Sequence, residues 1–238
     1  MDALQLRGKR IMVIVAHPDD AEFIAGGTVA RAVSLGCEVS FIIATKGERG
    51  SSERGMTAKR LAAVREREQR AAAKVLGIES VEFLGFLDGE LQCDLKLKEA
   101  VVRQLRRRAP DMVITFDPAF LYSVEQQRVN HADHRAIGEA VMDAVYPLAR
   151  DLMSFPGHAN QGLAPHKVAE LCFSSGEEGN AYCDITSSFE RKILALQEHK
   201  SQVKEPKELQ GFLLDRHQRL GIHAKCELAE CFKRIALR

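Results

Sequence analysis

The stretch RIMVIVAHPDDAEFIAGG, residues 10–27, decides how this chain folds. Its first part, RIMVIV, is an unbroken run rich in β-branched and other apolar side chains. Such a run predicts a strand buried on both faces, as in a parallel sheet. The strand gives way to HPDDAE and then to a helix pattern containing Gly26 and Gly27, the start of a β-α-β unit. His17, Asp19, Asp20 and Glu22 crowd the end of the strand. That crowding needs a chemical reason or a capping one.

Working outward, residues 38–45, 80–85 and 111–116 repeat the strand pattern. Helix patterns lie at 23–35, 57–76 and 94–109, with Gly36 and Gly77 as stops and Pro110 after the last. The alternation predicts an α/β fold: a Rossmann-like, doubly wound, mostly parallel sheet with helices on both faces. Further on, the pattern predicts a helix at 132–149, a Gly/Pro-rich loop at 150–166, strands at 167–174 and 181–185, a helix at 187–202, and one or two helices to the end. The chain reads as a single domain over 1–238, with the core and metal site in about 1–150 and the added strands and helices in about 151–238. Gly26 and Gly27 suit close packing of a helix on the sheet.

At 238 residues and 45% hydrophobic side chains, the chain can bury a full core. A formal net charge of +1 leaves no global basic field, which argues against nucleic-acid binding. Arg106, Arg107 and Arg108 end a helix, where cations complement the dipole and face water. No apolar run approaches the ~18 residues of a membrane span, and MDALQLRGKR lacks a secretory apolar segment, so a cytoplasmic location without membrane contact is expected. The six cysteines show no CxxC pair and are expected to be free thiols.

In doubly wound sheets ligands bind beyond the carboxyl ends of the strands. The segments HPDDAE, KGERGSSERG and DPAFLYSVEQQRVNHADH all fall there. A catalytic zinc site takes three ligands from His, Asp and Glu and keeps a fourth position open. Pro18 sharpens a turn that lets His17 and Asp20 converge, and His131 and His134 stand i and i+3 at the start of a later helix. The strands preceding these segments are neighbours in the usual strand order. His17, Asp20 and one of the two later histidines can therefore meet. Asp19 and Asp20 also suit a helix cap, and Glu22 suits a first-turn dipole partner or an acceptor behind the ligands. His158, His166, His199, His217 and His223 lack partners at metal spacing and read as structural or exposed.

AHPDDAEFIAGGT, TKGERG, VREREQRAAAKVLGI, NHADHRAIG and CDITSSFERKILALQEHKSQ together resemble successive signatures of the GlcNAc-phosphatidylinositol de-N-acetylase superfamily, the PIG-L or LmbE-like proteins, over about residues 9–203. The resemblance implies a zinc-dependent hydrolase, with one zinc per subunit, that removes acetyl from GlcNAc-type sugars. It implies His17, Asp20 and His134 as zinc ligands and Asp19 as general base. His131 would be the acid or oxyanion stabiliser, Asp133 its supporting carboxylate, and Arg65 an arginine near the substrate, although in so highly charged a helix Arg65 also suits a simple surface ion pair. A homo-oligomer, trimer or hexamer, is the matching expectation. The chemistry is coherent: an unreactive amide calls for a metal that polarises its oxygen and activates water, and two adjacent aspartates can divide the roles of ligand and base.

Ala132 stands where many relatives have proline and leaves every ligand in place. Arg128 and Asn130 occupy the region before His131 that contacts substrate in some relatives. The loop KGERGSSERG after the second strand offers Glu48, Arg49 and Arg54, and suits either a lid that grips an anionic group on a small-molecule substrate or a mobile exposed loop. Two other readings stand beside the deacetylase. One is a metal-dependent hydratase of an unsaturated carboxylic acid, a chemistry that the same superfamily contains. The other is a non-catalytic nucleotide-binding module, which lacks any GxGxxG or Walker loop after a strand.

Overall fold

The computed structural model describes residues 2–125, 127–174 and 178–238. After a short edge strand β1 (Asp2–Ala3), the chain alternates through β2 (Arg10–Val15), α1 (Asp20–Ser34), β3 (Glu38–Thr45), α2 (Ala58–Leu76), β4 (Ser80–Phe86), α3 (Leu95–Arg108) and β5 (Met112–Phe116). A small hairpin, β6 (Tyr122–Ser123) and β7 (Arg128–Val129), leads into α4 (Ala132–Asp143). Then come β8 (Glu170–Ser174), β9 (Ala181–Asp184), α5 (Phe189–Gln197), α6 (Pro206–Ala224) and β10 (Ala229–Ala236).

The main sheet runs β1-β9-β10-β8-β5-β2-β3-β4. β2 lies between β3 and β5, with Ile11 paired to both Val39 and Met112, and all strands from β8 to β4 are parallel. β2 and β5 are thus the adjacent strands where the winding reverses, as the sequence reading requires. Every residue of β2 after Arg10 is buried, which is why its apolar run shows no alternation. Helices α1, α2 and α5 pack together on one face and α3 with α4 on the other, the Rossmann-like arrangement. Thr57 and Asp94 cap α2 and α3 by accepting the N–H groups of Arg60 and Leu97. A Cβ on Gly27 would lie 2.8 Å from the Ile185 side chain, so α1 reaches the end of β9 because residue 27 has none.

Several elements depart from the pattern. α1 starts at Asp20 rather than 23, its first turn favoured by the acidic Asp20 and Glu22. The helix expected over 132–149 ends at Asp143 and passes into a π-helical turn, Ala144–Leu148, where Pro147 lacks a donor. The Gly/Pro-rich loop contains a 3-10 turn, Pro156–Gln161. α5 stops at Gln197, and residues 199–202 turn instead, held by bonds from the Ser201 N–H and hydroxyl to Glu68.

The largest correction is at the end of the chain, expected as helix throughout: β10 is a strand, inserted antiparallel between β8 and β9. Its charge hides the strand pattern, because Glu230 is fully inside. Glu230 accepts from Lys192 Nζ at 2.6 Å and from the N–H groups of Gly27 and Thr28 at 3.0 and 2.7 Å, and Lys192 is itself wholly buried.

Arg106 is a second correction. It faces inward, donating to the carbonyls of Leu148, Ala149, Asp151 and Ser154 and so serving an irregular loop whose carbonyls lack ladder partners. Arg107 and Arg108 pair with Glu82. All six cysteines are free thiols, as expected. No helix of the described residues is long and apolar enough to cross a membrane.

Candidate active site

The ladder of β2 extends one residue beyond the strand, with Ala16 O accepting both the N–H and the hydroxyl of Thr45. The chain then turns sharply. The His17 N–H donates to Asp20 Oδ2 at 2.7 Å, and Asp19 sits at φ 89°, ψ −28°, a left-handed conformation that costs a non-glycine residue roughly 1 kcal/mol or more. Interactions from α2 hold it there. The Asp19 N–H donates to Gln69 Oε1 at 2.9 Å, and buried Arg65 donates to Pro18 O at 2.7 Å and to Asp19 Oδ2 at 3.2 Å. Arg65 also bonds Gly47 O at 3.0 Å, and a Cβ on Gly47, whose φ is 63°, would strike the guanidinium.

From this turn the side chains converge with those of α4. Asp20 lies between two histidines, with Oδ2 3.3 Å from His17 Nδ1 and Oδ1 3.2 Å from His134 Nε2. His134 is stacked on Phe116 at the end of β5, with ring centroids 3.9 Å apart, which fixes its plane. His131, exposed at the start of α4, completes a group with His17 and His134 whose nitrogens lie within 4.8 Å of one another. Its Nδ1 accepts the Asp133 N–H at 3.1 Å, which leaves Nε2 as the donor of a neutral ring. The three expected ligands are therefore together, and His and Asp donors around one point suit a divalent metal. The buried Nδ1 of His134 has no hydrogen-bond partner, so no second contact competes for the orientation of that ring.

The opposite edge of His17 meets two more carboxylates. Its Nε2 is 3.1 Å from Asp88 Oδ1 and 3.1 Å from Asp133 Oδ2. Asp133 is fully buried and also accepts the N–H groups of Gly89 and Leu91 at 2.7 and 3.2 Å. Asp133 thus touches His131 through its main chain and His17 through its carboxylate. A ring that offers Nδ1 to a metal and Nε2–H to carboxylates is oriented and made a better donor by them.

The electrostatics follow from this geometry. Burial opposes charge on His17, yet Asp133, Asp20 and Asp88 lift its pKa to about 12. Against the same penalty, His134 and His17 hold Asp20 far below the usual carboxylate range, and His17 with the Arg49 N–H holds Asp88 at about 2. Asp19 goes the other way: burial and the charge of Asp20 push it up to about 7, with Arg65 opposing. Burial and the positive charge of His17 lower His131, with Asp133 opposing. One aspartate is thus a fixed anion and its neighbour is poised near neutrality.

The loops after β3 and β4 are laced together: the Arg49 N–H donates to Asp88 Oδ2 and the Asp88 N–H to Glu48 Oε1, both at 2.9 Å, and the Arg49 side chain pairs with Glu90. Arg49 therefore sits behind Asp88, already engaged. Arg54 and Arg128 are exposed and make no contact with the cluster among the described residues, and Arg128 lies over the Phe120 ring. Asn130 is buried, its Nδ2 donating to Phe120 O at the base of the β6–β7 hairpin.

Sequence reasoning overlooked Asp88. Its signal was present, an Asp-Gly pair at the carboxyl end of the third of the four strands first recognised. Gln69 and His199 were also overlooked as neighbours of the site; Glu22 lies with them, accepting from Gln69 Nε2.

The model of the family described as GlcNAc-PI de-N-acetylase matches residues 12–145, more than half of the chain. The chain belongs to this family. The match spans the candidate site residues from His17 to His134, and His199 lies beyond it. A curated relative, the diacetylchitobiose deacetylase of Thermococcus kodakarensis, is 29% identical over 204 residues, covering 83% of this chain and 71% of its own. Two solved structures share the fold. An N,N'-diacetylchitobiose deacetylase from Pyrococcus horikoshii superposes with a TM-score of 0.87 at 24% identity, covering 96% of this chain and 85% of its own. The 4-carboxy-2-hydroxymuconate hydratase GalB of Pseudomonas putida does so with a TM-score of 0.79 at 22% identity, covering 96% and 97%.

Proposed function

We propose that this chain is a zinc-dependent amide hydrolase that removes the N-acetyl group from a small GlcNAc-type conjugate or chito-oligosaccharide. The observation that carries the reading is the division of labour within HPDD: Asp20 is a fixed anion between His17 and His134, while Asp19, beside it, is held near a pKa of 7. The family membership and the deacetylase relative support the acetamido-sugar class.

His17, Asp20 and His134 would hold the zinc, one ion per subunit. When bound, zinc supplies Lewis acidity towards the acyl oxygen and the attacking water. Asp19 takes the proton from that water, a task that suits a carboxylate whose pKa lies near the working pH. His131 directs the Nε2–H of its neutral ring to the side of the cluster where negative charge develops on the acyl oxygen, and the proton that Asp19 took from the water goes on to the leaving amine as the C–N bond breaks. Asp133 and Asp88 keep the His17 ring in place. Arg65 holds the turn that carries Asp19, and Arg49, through Asp88, steadies the facing loop. Arg54, Arg128 and Asn130 belong to the surround in which the substrate's second part is bound.

The test is acetate and free amine released by the zinc-loaded protein from N-acetylglucosamine, diacetylchitobiose and an N-acetylglucosaminyl malate. At least one should be hydrolysed, and release that disappears with chelation and returns with zinc is the expected result. No release from any of them by protein that has bound zinc would remove the deacetylase reading. The fold likeness to a hydratase gives the second reading its assay, the ultraviolet loss of an unsaturated hydroxy acid.

A further inference from the structure

We propose that Glu22, Gln69 and His199 form a buried relay that positions Asp19, making His199 a positioning residue of the site although it lies far along the chain from the other three. The proposal rests on the reading of Asp19 as the proton acceptor. The contacts run in one line: the Asp19 N–H donates to Gln69 Oε1 at 2.9 Å, Gln69 Nε2 donates to Glu22 Oε1 at 2.7 Å, and Glu22 Oε2 faces His199 Nε2 at 3.4 Å. Glu22, Gln69 and His199 are all fully buried.

The polarity of this line is what matters. A side-chain amide can present either its oxygen or its NH2 group, and Asp19 needs the oxygen. The Glu22 carboxylate only accepts, so it draws the NH2 end of Gln69 to itself and leaves the oxygen for the Asp19 N–H. A buried carboxylate in turn needs positive charge or donors. His199 stands where it can supply them, and neither of its ring nitrogens has a hydrogen bond elsewhere. Burial opposes a proton on His199, but the Glu22, Asp19 and Glu68 carboxylates prevail and raise its pKa.

The turn carrying His199 is fastened to the same helix as Gln69. Ser201 bonds Glu68 through its N–H at 2.8 Å and its hydroxyl at 2.6 Å, and Gln202 Nε2 reaches Gly50 O at 3.2 Å. An apolar filling of this space would leave the Asp19 N–H unpaired beneath a left-handed residue, and the turn would relax. A shift of about 1 Å in a reacting group can slow a reaction about 100-fold.

The test is a swap of donor and acceptor. Gln69→Glu sets two carboxylates against each other and Gln69→Met, uncharged and similar in length, removes the acceptor. Combining Gln69→Glu with Glu22→Gln restores a donor facing an acceptor. Two readouts are taken: kcat and KM for acetate release, and exchange protection of the Asp19 amide proton in the protein without metal. Each Gln69 single variant, and His199→Phe, should lower kcat about 10- to 100-fold with KM little changed. Gln69→Met should also lose the Asp19 protection, and the swap should recover most of kcat and keep the protection. Wild-type kcat and protection in Gln69→Met, or a swap no better than Gln69→Glu, would overturn the relay. If Gln69→Glu fails to fold, the swap is judged against Gln69→Met. If the wild-type protein releases no acetate, the deacetylase reading fails on its own, while the exchange measurement still decides whether the relay holds Asp19.

Discussion

Asp133 Oδ2 lies 3.1 Å from His17 Nε2, bridging 116 residues of chain and joining the start of α4 to the turn after β2. The contact ties a candidate ligand to a carboxylate that two main-chain N–H groups already fix in place. Asp133→Asn should therefore weaken zinc binding about 10- to 100-fold, the usual consequence of losing a carboxylate behind a ligating histidine. Competition with a chromogenic chelator measures it. Unchanged affinity would mean that the contact does not orient His17.

Asp19→Asn should keep zinc content and lower kcat about 100- to 10,000-fold, the range attributed to a positioned base. Asp19 works when deprotonated, so kcat/KM should fall as pH drops through its pKa. Burial and Asp20 place that value at about 7 before any cation binds, and a bound divalent ion lowers it. The acid limb should accordingly lie at or below pH 7 in the wild-type enzyme and be missing from the residual activity of the variant. An identical limb in both proteins would assign it to another group.

The buried pair of Lys192 and Glu230 gives a stability prediction. Glu230→Gln leaves the Lys192 ammonium without its counter-charge in a dry interior, at a cost of about 3–5 kcal/mol. Adding Lys192→Met to it should recover part of the loss, because the stranded charge is gone. Urea unfolding reads both effects, and strictly additive losses would show that the two residues are not coupled.

Acid should destabilise the fold through His217. Burial first, and then the Lys192 charge, push its pKa down to about 3 from an ordinary 6.5, and its Nδ1 bonds Ala229 O at 2.8 Å. The unfolded chain then binds the proton more readily than the folded one. The contribution is complete above pH 6.5 and is lost progressively as pH falls towards 3, on the order of a few kcal/mol in all. His217→Gln should be less stable at pH 7 and show a shallower loss between pH 6.5 and 4.5 in urea melts. Parallel curves would exclude His217 as the source.

The residues that sequence alone brought together are those whose proximity is local or follows from strand order. His17, Asp19 and Asp20 share one turn, His131 and His134 share one helical turn, and the adjacency of β2 and β5 joins the two sets. Contacts set by side-chain reach were not legible. Asp88 looks like any Asp-Gly turn until the fold carries it to His17, and Asp133 stands beside His131 in sequence while its carboxylate crosses to another strand end. Arg106 reads as a solvated helix end because nothing local announces that a later loop will need its donors. β10 was hidden for a related reason: Glu230 breaks the apolar pattern, and its burial is made tolerable by partners distant in sequence, Lys192 and the N–H groups of Gly27 and Thr28.

The place of β10 also bears on how the chain assembles. β8 and β9 are not neighbours and meet only through this last strand, so each presents an open hydrogen-bonding edge until residues 229–236 arrive. The same strand delivers Glu230 to the N–H groups of Gly27 and Thr28, in the helix that begins at Asp20. During synthesis, the helix leading out of the site is made early and fastened late.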